Sequence, residues 1–312
     1  MTNSEKISIV LPTYNGSKLL RGSIDSCLGQ THKDLELIVV DDCSTDDTPQ
    51  IVRSYNDPRL HYFRNEKNQR LPRSLNIGFS HATGQYLTWT SDDNEFYPDA
   101  IEKMLDSLKK NTRTDFVYAD QWVYDEATGQ TKLQELPETL SFKEKNVIGG
   151  CFMYTRRVYE TIGGYNPYYE VAEDYDYWIR ISRKFKSVHC SHAVYLYRFH
   201  SQAMTATRVH DVGLFDAILK YRNGFIPLSK LGWMSVYYFQ NVGRTASSKD
   251  KRKDLIRHAF FKIRMLSFPF FVFFLLMLAF FYSLEMMRPF LSALGILKEK
   301  KPSDGVSVGD AR

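Results

Sequence analysis

Apolar runs typical of buried strands alternate with stretches of helical spacing along the first 120 residues. The strand-like runs are KISIVLPTYN, LELIVVDD, RLHYFRN, QYLTWTS and DFVYAD. Between them, segments such as LPRSLNIGFSHA and YPDAIEKMLDSLKK have the spacing and composition of helices. This order predicts an α/β fold, with a Rossmann-like, mostly parallel central sheet and helices on both of its faces.

Polar clusters directly follow three of the predicted strands, at residues 13–15, 41–42 and 92–94. Ligands of such sheets bind at the carboxyl ends of the strands, so we expect these clusters to line one crevice. Adjacent carboxylates repel each other unless a cation lies between them. Hard divalent ions such as Mg²⁺ and Mn²⁺ bind carboxylate oxygens and often bridge to phosphate. Residues 92–94 are therefore candidates to hold a metal that clamps a diphosphate; the alternative is a solvated turn or helix cap.

Composition narrows the class of protein. The chain has 312 residues, 43% hydrophobic and 25% charged, as expected for a globular chain with one large domain and an appendage, or two smaller domains. The net charge of +5 is mild, and the first 200 positions show no concentration of basic residues, so nucleic acid is not an expected partner.

The four cysteines form no CxxC pair, which predicts reduced thiols and no zinc site. The first apolar run is too short for a secretory signal, so we expect the catalytic body in the cytosol.

The last third of the chain differs from the rest. Residues 265–284 carry no charge over about the length that crosses a bilayer as a helix, and a basic run precedes them. We predict a first domain at 1–207, a helical extension at 208–264, a membrane-associated apolar helix at 265–292 and a polar, disordered tail at 293–312. The alternatives to membrane association are a buried core helix and a helix packed in an oligomer. Whether the apolar helix spans the bilayer or lies in its surface is left open.

Four segments, taken in order, closely resemble the family 2 glycosyltransferases, which are inverting, nucleotide-sugar-dependent enzymes of the GT-A fold. The similarity extends over about residues 5–205. The segments are SIVLPTYNGSKLLRGSIDSCLGQTHKDLELIVVDDCSTDDT, LPRSLNIGFSHATGQYLTWTSDDNEFYP, GGCFMYTRRVYETIGGYNP and AEDYDYWIR. The resemblance implies a GT-A fold, a nucleotide-sugar donor and a Mn²⁺ or Mg²⁺ cofactor.

The resemblance also implies a donor site at the first two strand ends. Uridine contacts are expected from Pro12, Thr13 and Tyr14, which belong to the PTYN segment. Asp41 resembles the residue that binds the base, and Asp42 is its neighbour.

The SDDN segment occupies the position of the family's D-x-D motif, with Asn94 in place of the second acid. The resemblance places Asp92 toward the sugar and ribose, and Asp93 or Asn94 toward the metal. Asparagine offers a carbonyl oxygen but no charge, which puts the strength of metal binding in question. Arg70, in the NQRLPRSLNIG segment, is a candidate contact of the phosphate or the ribose.

The Glu-Asp pair in AEDYDYWIR matches the family's catalytic pair and implies that Asp174 is the general base. The base removes the proton of the acceptor hydroxyl as this attacks the anomeric carbon. The alternative is that Glu173 and Asp174 are only N-terminal helix residues. Gly149 and Gly150 match a pair beside the sugars, where small residues let the backbone approach a ring. Trp178 is expected in the core or the pocket wall.

The segment YRFHSQAMT resembles a strand end that approaches the diphosphate in this family. His200 is a candidate metal ligand or diphosphate contact, and Arg198 a candidate charge partner. A structural role for a lone histidine is the alternative.

Together these features predict an inverting glycosyltransferase at the cytoplasmic face of the cell membrane. It would transfer a sugar from a UDP-type donor to a lipid-linked glycan acceptor in surface polysaccharide assembly. GDP- and dTDP-type donors are less favoured. One alternative is a polyprenyl-phosphate glycosyltransferase. A second is a catalytically silent sugar-nucleotide-binding protein, suggested by the missing acid of the D-x-D motif. The sugar, the acceptor, the linkage and the oligomeric state, including a homo-oligomer, are left open.

Overall fold

The computed structural model describes residues 5–111, 113–227 and 230–231, and the chain divides into two compact units, Met1–Leu219 and Lys220–Arg312. The strands are β1 (Ile7–Thr13), β2 (Leu35–Asp41), β3 (Leu60–Arg64), β4 (Tyr86–Trp89), β5 (Glu95–Phe96), β6 (Phe116–Ala119), β7 (Gln121–Asp125), β8 (Gln130–Gln134), β9 (Phe152–Thr155), β10 (Ser187–Cys190) and β11 (Tyr195–Phe199). The helices are α1 (Leu20–Leu28), α2 (Thr48–Arg53), α3 (Leu71–His81), α4 (Ala100–Lys110), α5 (Arg156–Ile162), α6 (Glu173–Ser182), α7 (Met204–Thr207) and α8 (Val209–Arg222).

Seven strands form the central sheet, in the order β10-β6-β9-β4-β1-β2-β3. Neighbouring strands are parallel except at β9, which is antiparallel to β4 and to β6. The predicted mostly parallel sheet is confirmed. The direction of β9 follows from the chain path: β6 leads at its carboxyl end into β7 of a second sheet, and the β7–β8 hairpin brings the chain back to the same edge.

Helices cover both faces of β1 and β2, and every residue of these two strands is buried. Burial on both faces explains their continuous apolar sequences. On one face, Ile9 and Leu11 belong to a core cluster with residues of α1 and α4. On the other face, α3 lies so close that a Cβ at Gly78 would be 2.3 Å from Cγ1 of Val10. The absence of a side chain at Gly78 therefore lets α3 pack directly on the sheet.

A second sheet has the order β5-β11-β7-β8 and was not predicted. All of β8 is exposed, and β5 has only two residues. β5, β7 and β8 lack the buried apolar runs that identify the central strands, so periodicity gives no signal for them. The strand end expected in YRFHSQAMT is present, because β11 ends at Phe199. The sheet matters for the site because β11 pairs with β5 directly after residues 92–94.

The predicted apolar helix at 265–292 and the tail at 293–312 lie outside the described residues, as does most of the predicted extension. Among the residues with a described position, no helix is long and apolar enough to cross a bilayer. Membrane association and the proposed domain boundaries therefore stay predictions.

Candidate active site

The carboxyl ends of β1, β2 and β4 lie side by side, because these strands are parallel neighbours. Thr13 is in register with Asp41 on β2. The Thr13 hydroxyl donates a hydrogen bond of 2.6 Å to Oδ2 of Asp92. The structure thus brings the three polar clusters of the sequence to one edge of the sheet.

The turn after β1 fits tightly around Asp92. A Cβ at Gly16 would lie 2.1 Å from Oδ2 of Asp92 and 2.7 Å from Oγ1 of Thr13. Burial, and then the neighbouring charge of Asp93, raise the pKa of Asp92 to about 6, although the hydrogen bond from Thr13 lowers it. A cation bound beside Asp92 would lower this pKa and favour the ionised carboxylate.

Asp41 is fully buried, and its oxygens accept hydrogen bonds from the protein. Oδ1 accepts the backbone N–H of Ser44 at 2.8 Å, and Oδ2 accepts the hydroxyl of Tyr62 at 2.7 Å. Arg64 approaches Oδ2 with its Nε at 3.5 Å. Asp41 therefore holds the start of the β2–α2 loop in place.

Asp42 holds a second loop, which joins β3 to α3. Its Oδ1 accepts hydrogen bonds from the amide of Asn65 at 2.8 Å and the backbone of Gln69 at 2.6 Å. Its Oδ2 accepts the backbone N–H of Arg70 at 2.8 Å. This bond accompanies a left-handed backbone at Arg70, with φ of 71°. The Arg70 side chain is exposed at the edge of the site, as is Tyr14, while Pro12 and Thr13 are buried.

Asp93 and His200 form a close pair, although they lie far apart in the sequence. Nε2 of His200 lies 3.0 Å from Oδ2 of Asp93, and both side chains are largely buried. Oδ1 of Asp93 is buried and has no hydrogen-bond partner. Buried polar atoms normally have a partner, and a divalent cation bound to this oxygen would be one.

Asn94 is buried and connects the strand end to β11. Its Oδ1, the oxygen that the sequence suggested as a metal ligand, accepts the backbone N–H of Arg198 at 2.7 Å. The Arg198 guanidinium lies 3.2 Å from Glu95 and packs over the ring of Tyr124. In this structure Asn94 and Arg198 fix the position of β11 against residues 93–95.

Asp174 lies in the first turn of α6. Its Oδ2 accepts the side-chain N–H of Asn146 at 2.8 Å, and its Oδ1 accepts the backbone N–H of Tyr175 at 2.6 Å. Burial raises the pKa of Asp174, while these two hydrogen bonds lower it. Asp174 is partly exposed, and a carboxylate with a raised pKa is a stronger base than one with an ordinary pKa.

Glu173 lies beside Asp174 in a different environment. It is 4% exposed, and its Oε2 has no hydrogen-bond partner. Burial, and then the charge of Asp174, raise the pKa of Glu173 well above its usual range. Two adjacent carboxyl groups with unequal pKa values can take different roles, one protonated and one ionised.

The remaining predicted pocket residues pack against protein groups. Trp178 is 1% exposed and contacts the rings of Phe116 and Phe152, so its side chain is part of the core. A Cβ at Gly149 would lie 2.3 Å from Oε1 of Gln121, and a Cβ at Gly150 would lie 2.6 Å from the ring of Tyr195. The small residues thus make room for these two side chains.

Sequence reasoning missed Asn146, Gln121 and Tyr195. Asn146 and Gln121 lie in segments without periodicity, and nothing in the local sequence connects them to residues on α6 or the glycine pair. Tyr195 contacts Thr90 through a hydrogen bond of 2.7 Å between the two hydroxyl groups. The Tyr195 contact depends on the packing of the second sheet against the first, and the contacts of Asn146 and Gln121 depend on the path of the loop between β8 and β9.

The sheet and its site define a glycosyltransferase domain of GT-A-like α/β fold. The structure is similar to the crystal structure of S. aureus TarS 1–349 in complex with UDP-GlcNAc, with a TM-score of 0.58 at 16% sequence identity, covering 93% of this chain and 80% of that chain. The family model described as glycosyl transferase family 2 matches residues 8–163.

Two curated relatives agree with this match. The chain is 32% identical to the putative glycosyltransferase EpsE of Bacillus subtilis over 241 residues, which is 73% of this chain and 86% of that protein. It is 30% identical to the putative colanic acid biosynthesis glycosyl transferase WcaA of Escherichia coli over 190 residues, which is 58% of this chain and 67% of that protein. The chain belongs to glycosyl transferase family 2, and the resemblance seen in the sequence is confirmed.

Proposed function

We propose that this glycosyltransferase transfers a sugar from a UDP-sugar to a glycan acceptor in polysaccharide biosynthesis, with inversion at the anomeric carbon. The observation that carries the proposal is geometric. At the carboxyl ends of the parallel strands β1 and β4, the Thr13 hydroxyl donates to Oδ2 of Asp92 at 2.6 Å, and the next residue, Asp93, lies 3.0 Å from Nε2 of His200. This edge of the sheet is where ligands of such folds bind.

The comparisons support the donor and the pathway class. A UDP-type donor is supported by the similar fold of TarS, whose structure contains UDP-GlcNAc. A glycan acceptor is supported by the similarity to WcaA, which is named for colanic acid biosynthesis. A lipid-linked acceptor at the cytoplasmic face of the membrane is supported by the uncharged sequence of residues 265–284.

In the proposed reaction, Asp174 accepts the proton of the acceptor hydroxyl while the oxygen bonds to the anomeric carbon. The bond from that carbon to the diphosphate breaks on the opposite side, so the nucleotide leaves with the electron pair and the configuration inverts. Burial and the charge of Asp174 raise the pKa of Glu173 well above its usual range, which favours the protonated form of Glu173. Asp174 is then the member of the pair that accepts the proton.

The residues present fit a divalent metal ion in part. Among residues 5–111, 113–227 and 230–231, no group of three or more His, Cys, Asp or Glu is arranged to hold a metal ion. The Asp93–His200 pair nevertheless provides a free carboxylate oxygen and an imidazole, and oxygens of the donor diphosphate would complete the coordination. When bound, Mn²⁺ or Mg²⁺ would stabilise the charge of the leaving diphosphate.

The test compares Asp174→Asn with the wild-type enzyme. UDP release from UDP-GlcNAc and related UDP-sugars in the presence of Mn²⁺ should fall by roughly 10²–10⁴-fold, because the general base is lost. The UDP dissociation constant should change little. Asp176→Asn is the matched control. Asp176 lies two residues after Asp174 in α6 and forms an ion pair with Arg180 at 2.8 Å. Equal turnover in Asp174→Asn and the wild type would refute the proposed role.

The alternatives predict other results. A catalytically silent sugar-nucleotide-binding protein would bind UDP but show no turnover with Mn²⁺ on any acceptor. A polyprenyl-phosphate glycosyltransferase would transfer radiolabelled sugar to polyprenyl phosphate alone. Transfer only to a lipid-linked saccharide would support the glycan acceptor proposed above.

A further inference from the structure

The loop between β8 and β9, residues 135–151, is fastened to the body of the domain near both of its ends. The backbone N–H of Leu136 donates to Oδ1 of Asp120 at 2.8 Å, and the backbone N–H of Gly150 donates to Oε1 of Gln121 at 3.0 Å. In the middle of the loop, the hydroxyl of Tyr175 on α6 donates to the carbonyl oxygen of Phe142. The loop is therefore held against α6, the helix that carries Asp174.

Asn146 lies in this fastened loop, and its side chain has a defined orientation. Its Oδ1 accepts the backbone N–H of Ile148 at 3.3 Å. Its Nδ2 therefore faces the other way and donates to Oδ2 of Asp174 at 2.8 Å. A flipped amide would place two oxygens against each other at Asp174, so the hydrogen bonds determine the assignment.

We propose that Asn146 is a positioning residue for the reaction, which fixes Oδ2 of Asp174 by donating its amide N–H to this oxygen. The inference rests on the role of Asp174 in the proposed function. A carboxylate accepts hydrogen bonds only through its oxygens, so a donor at 2.8 Å stabilises the ionised form that a base requires. One lone pair of Oδ2 is used by Asn146, and the other is left for the acceptor hydroxyl.

The surroundings of Asp174 show why such a donor is needed. Burial raises its pKa, and the N–H groups of Tyr175 and Asn146, together with its own backbone N–H, oppose this effect. The neighbouring titratable groups are acidic: Glu173 on the same helix, Tyr165 in the preceding loop and Tyr197 on β11. Arg208 is the nearby cation, and it acts on Glu173. Without Asn146, burial would favour protonation of the base.

The experiment measures the protonation of Asp174 directly, in the full chain. The protein is labelled with ¹³C at the aspartate carboxyl carbons, and the Asp174 signal is identified by its absence in Asp174→Asn. The signal is then titrated in the wild type, Asn146→Ala and Asn146→Asp. Asn111→Ala is the control, because its amide donates to the carbonyl of Ser107 at the exposed end of α4.

We expect the titration midpoint of Asp174 to move to higher pH in Asn146→Ala and further in Asn146→Asp, which adds a like charge. The rate of UDP release from the best UDP-sugar at pH 7 should fall in the same order, by roughly tenfold or more. A merely structural role predicts the reverse order, since aspartate is nearly isosteric with asparagine. Unchanged midpoints in both folded variants would overturn the inference.

The proposed function and the proposed role of Asn146 can be refuted separately. If Asp174→Asn keeps full turnover, the proposed function is wrong whatever the titration shows. If Asp174→Asn is inactive but the titration midpoint of Asp174 is the same in both Asn146 variants as in the wild type, only the role of Asn146 is wrong. Thermal unfolding of each variant shows whether it is folded.

Discussion

The hydroxyl of Thr13 donates a hydrogen bond of 2.6 Å to Oδ2 of Asp92, across 79 residues of sequence. The bond joins the end of β1 to the polar cluster at residues 92–94. Gly16 packs against this bond, and a side chain at Gly16 would clash with both partners. The position of Asp92 thus depends on the turn after β1 as well as on its own strand.

Replacing Gly16 with alanine should displace Asp92. The new Cβ would lie 2.1 Å from Oδ2, so the carboxylate or the turn has to move. We expect UDP affinity to fall about tenfold and the free energy of unfolding to fall by about 1–3 kcal/mol. Calorimetric titration with UDP and urea unfolding measure the two effects.

Gly213→Ala is the matched control for this substitution. Gly213 lies in α8, and nothing lies within 4 Å of the position that its Cβ would take. Alanine there should leave UDP affinity unchanged and stabilise the helix by up to about 1 kcal/mol. Equal UDP affinity in Gly16→Ala and the wild type would show that the turn is not coupled to the donor site.

As the pH is lowered, turnover should be lost at a higher pH than the ordinary pKa of an aspartate would predict. The base must be ionised, and burial raises the pKa of Asp174. Activity is therefore present above that pKa and is lost as the pH falls through it. The measurement is kcat for UDP release between pH 4 and pH 8, with circular dichroism as the check on folding. A flat profile down to pH 4 would contradict the assignment.

Replacing His200 with alanine should weaken metal binding. Asp93 would keep its carboxylate but lose the partner at 3.0 Å. We expect the affinity for Mn²⁺ in the presence of UDP to fall by roughly 10–100-fold, as measured by electron paramagnetic resonance of free Mn²⁺. His61→Ala, at an exposed position on β3, should bind Mn²⁺ like the wild type. If both variants bind equally well, His200 is not a ligand.

Glu173→Gln should stabilise the fold in a pH-dependent way. Burial and the charge of Asp174 raise the pKa of Glu173 in the folded state, so the unfolded chain releases this proton first as the pH rises. The wild type therefore loses stability above the usual glutamate pKa of about 4.3. The variant should have a Tm higher by roughly 2–4 °C at pH 7.5 and equal to the wild type at pH 4.

Glu126→Gln controls for the loss of one carboxylate, because Glu126 is exposed. Its Tm difference from the wild type should be small and the same at both pH values. A Glu173→Gln variant that behaves like this control would mean that Glu173 ionises normally in the folded protein.

The central strands could be predicted because burial on both faces requires continuous apolar sequence, as in β1 and β2. Parallel strands also bring their carboxyl ends together, so the meeting of Thr13 with Asp92 follows from the pattern. The direction of β9 could not be predicted, since it depends on where the β7–β8 hairpin returns the chain. The same holds for Asn146, whose contact with Asp174 arises from the fastening of a loop that has no periodicity.

The pairing of β5 with β11, with Leu196 opposite Glu95, has a consequence for natural and engineered length variation. Asp93 and His200 lie just outside the two paired strands, so insertions in the exposed turn at residues 126–129 leave their separation unchanged. A single residue inserted between Leu196 and His200 would instead turn the imidazole to the opposite side of the strand. Tolerance to insertions and deletions should therefore differ between these two segments, although neither contains the acidic residues of the site.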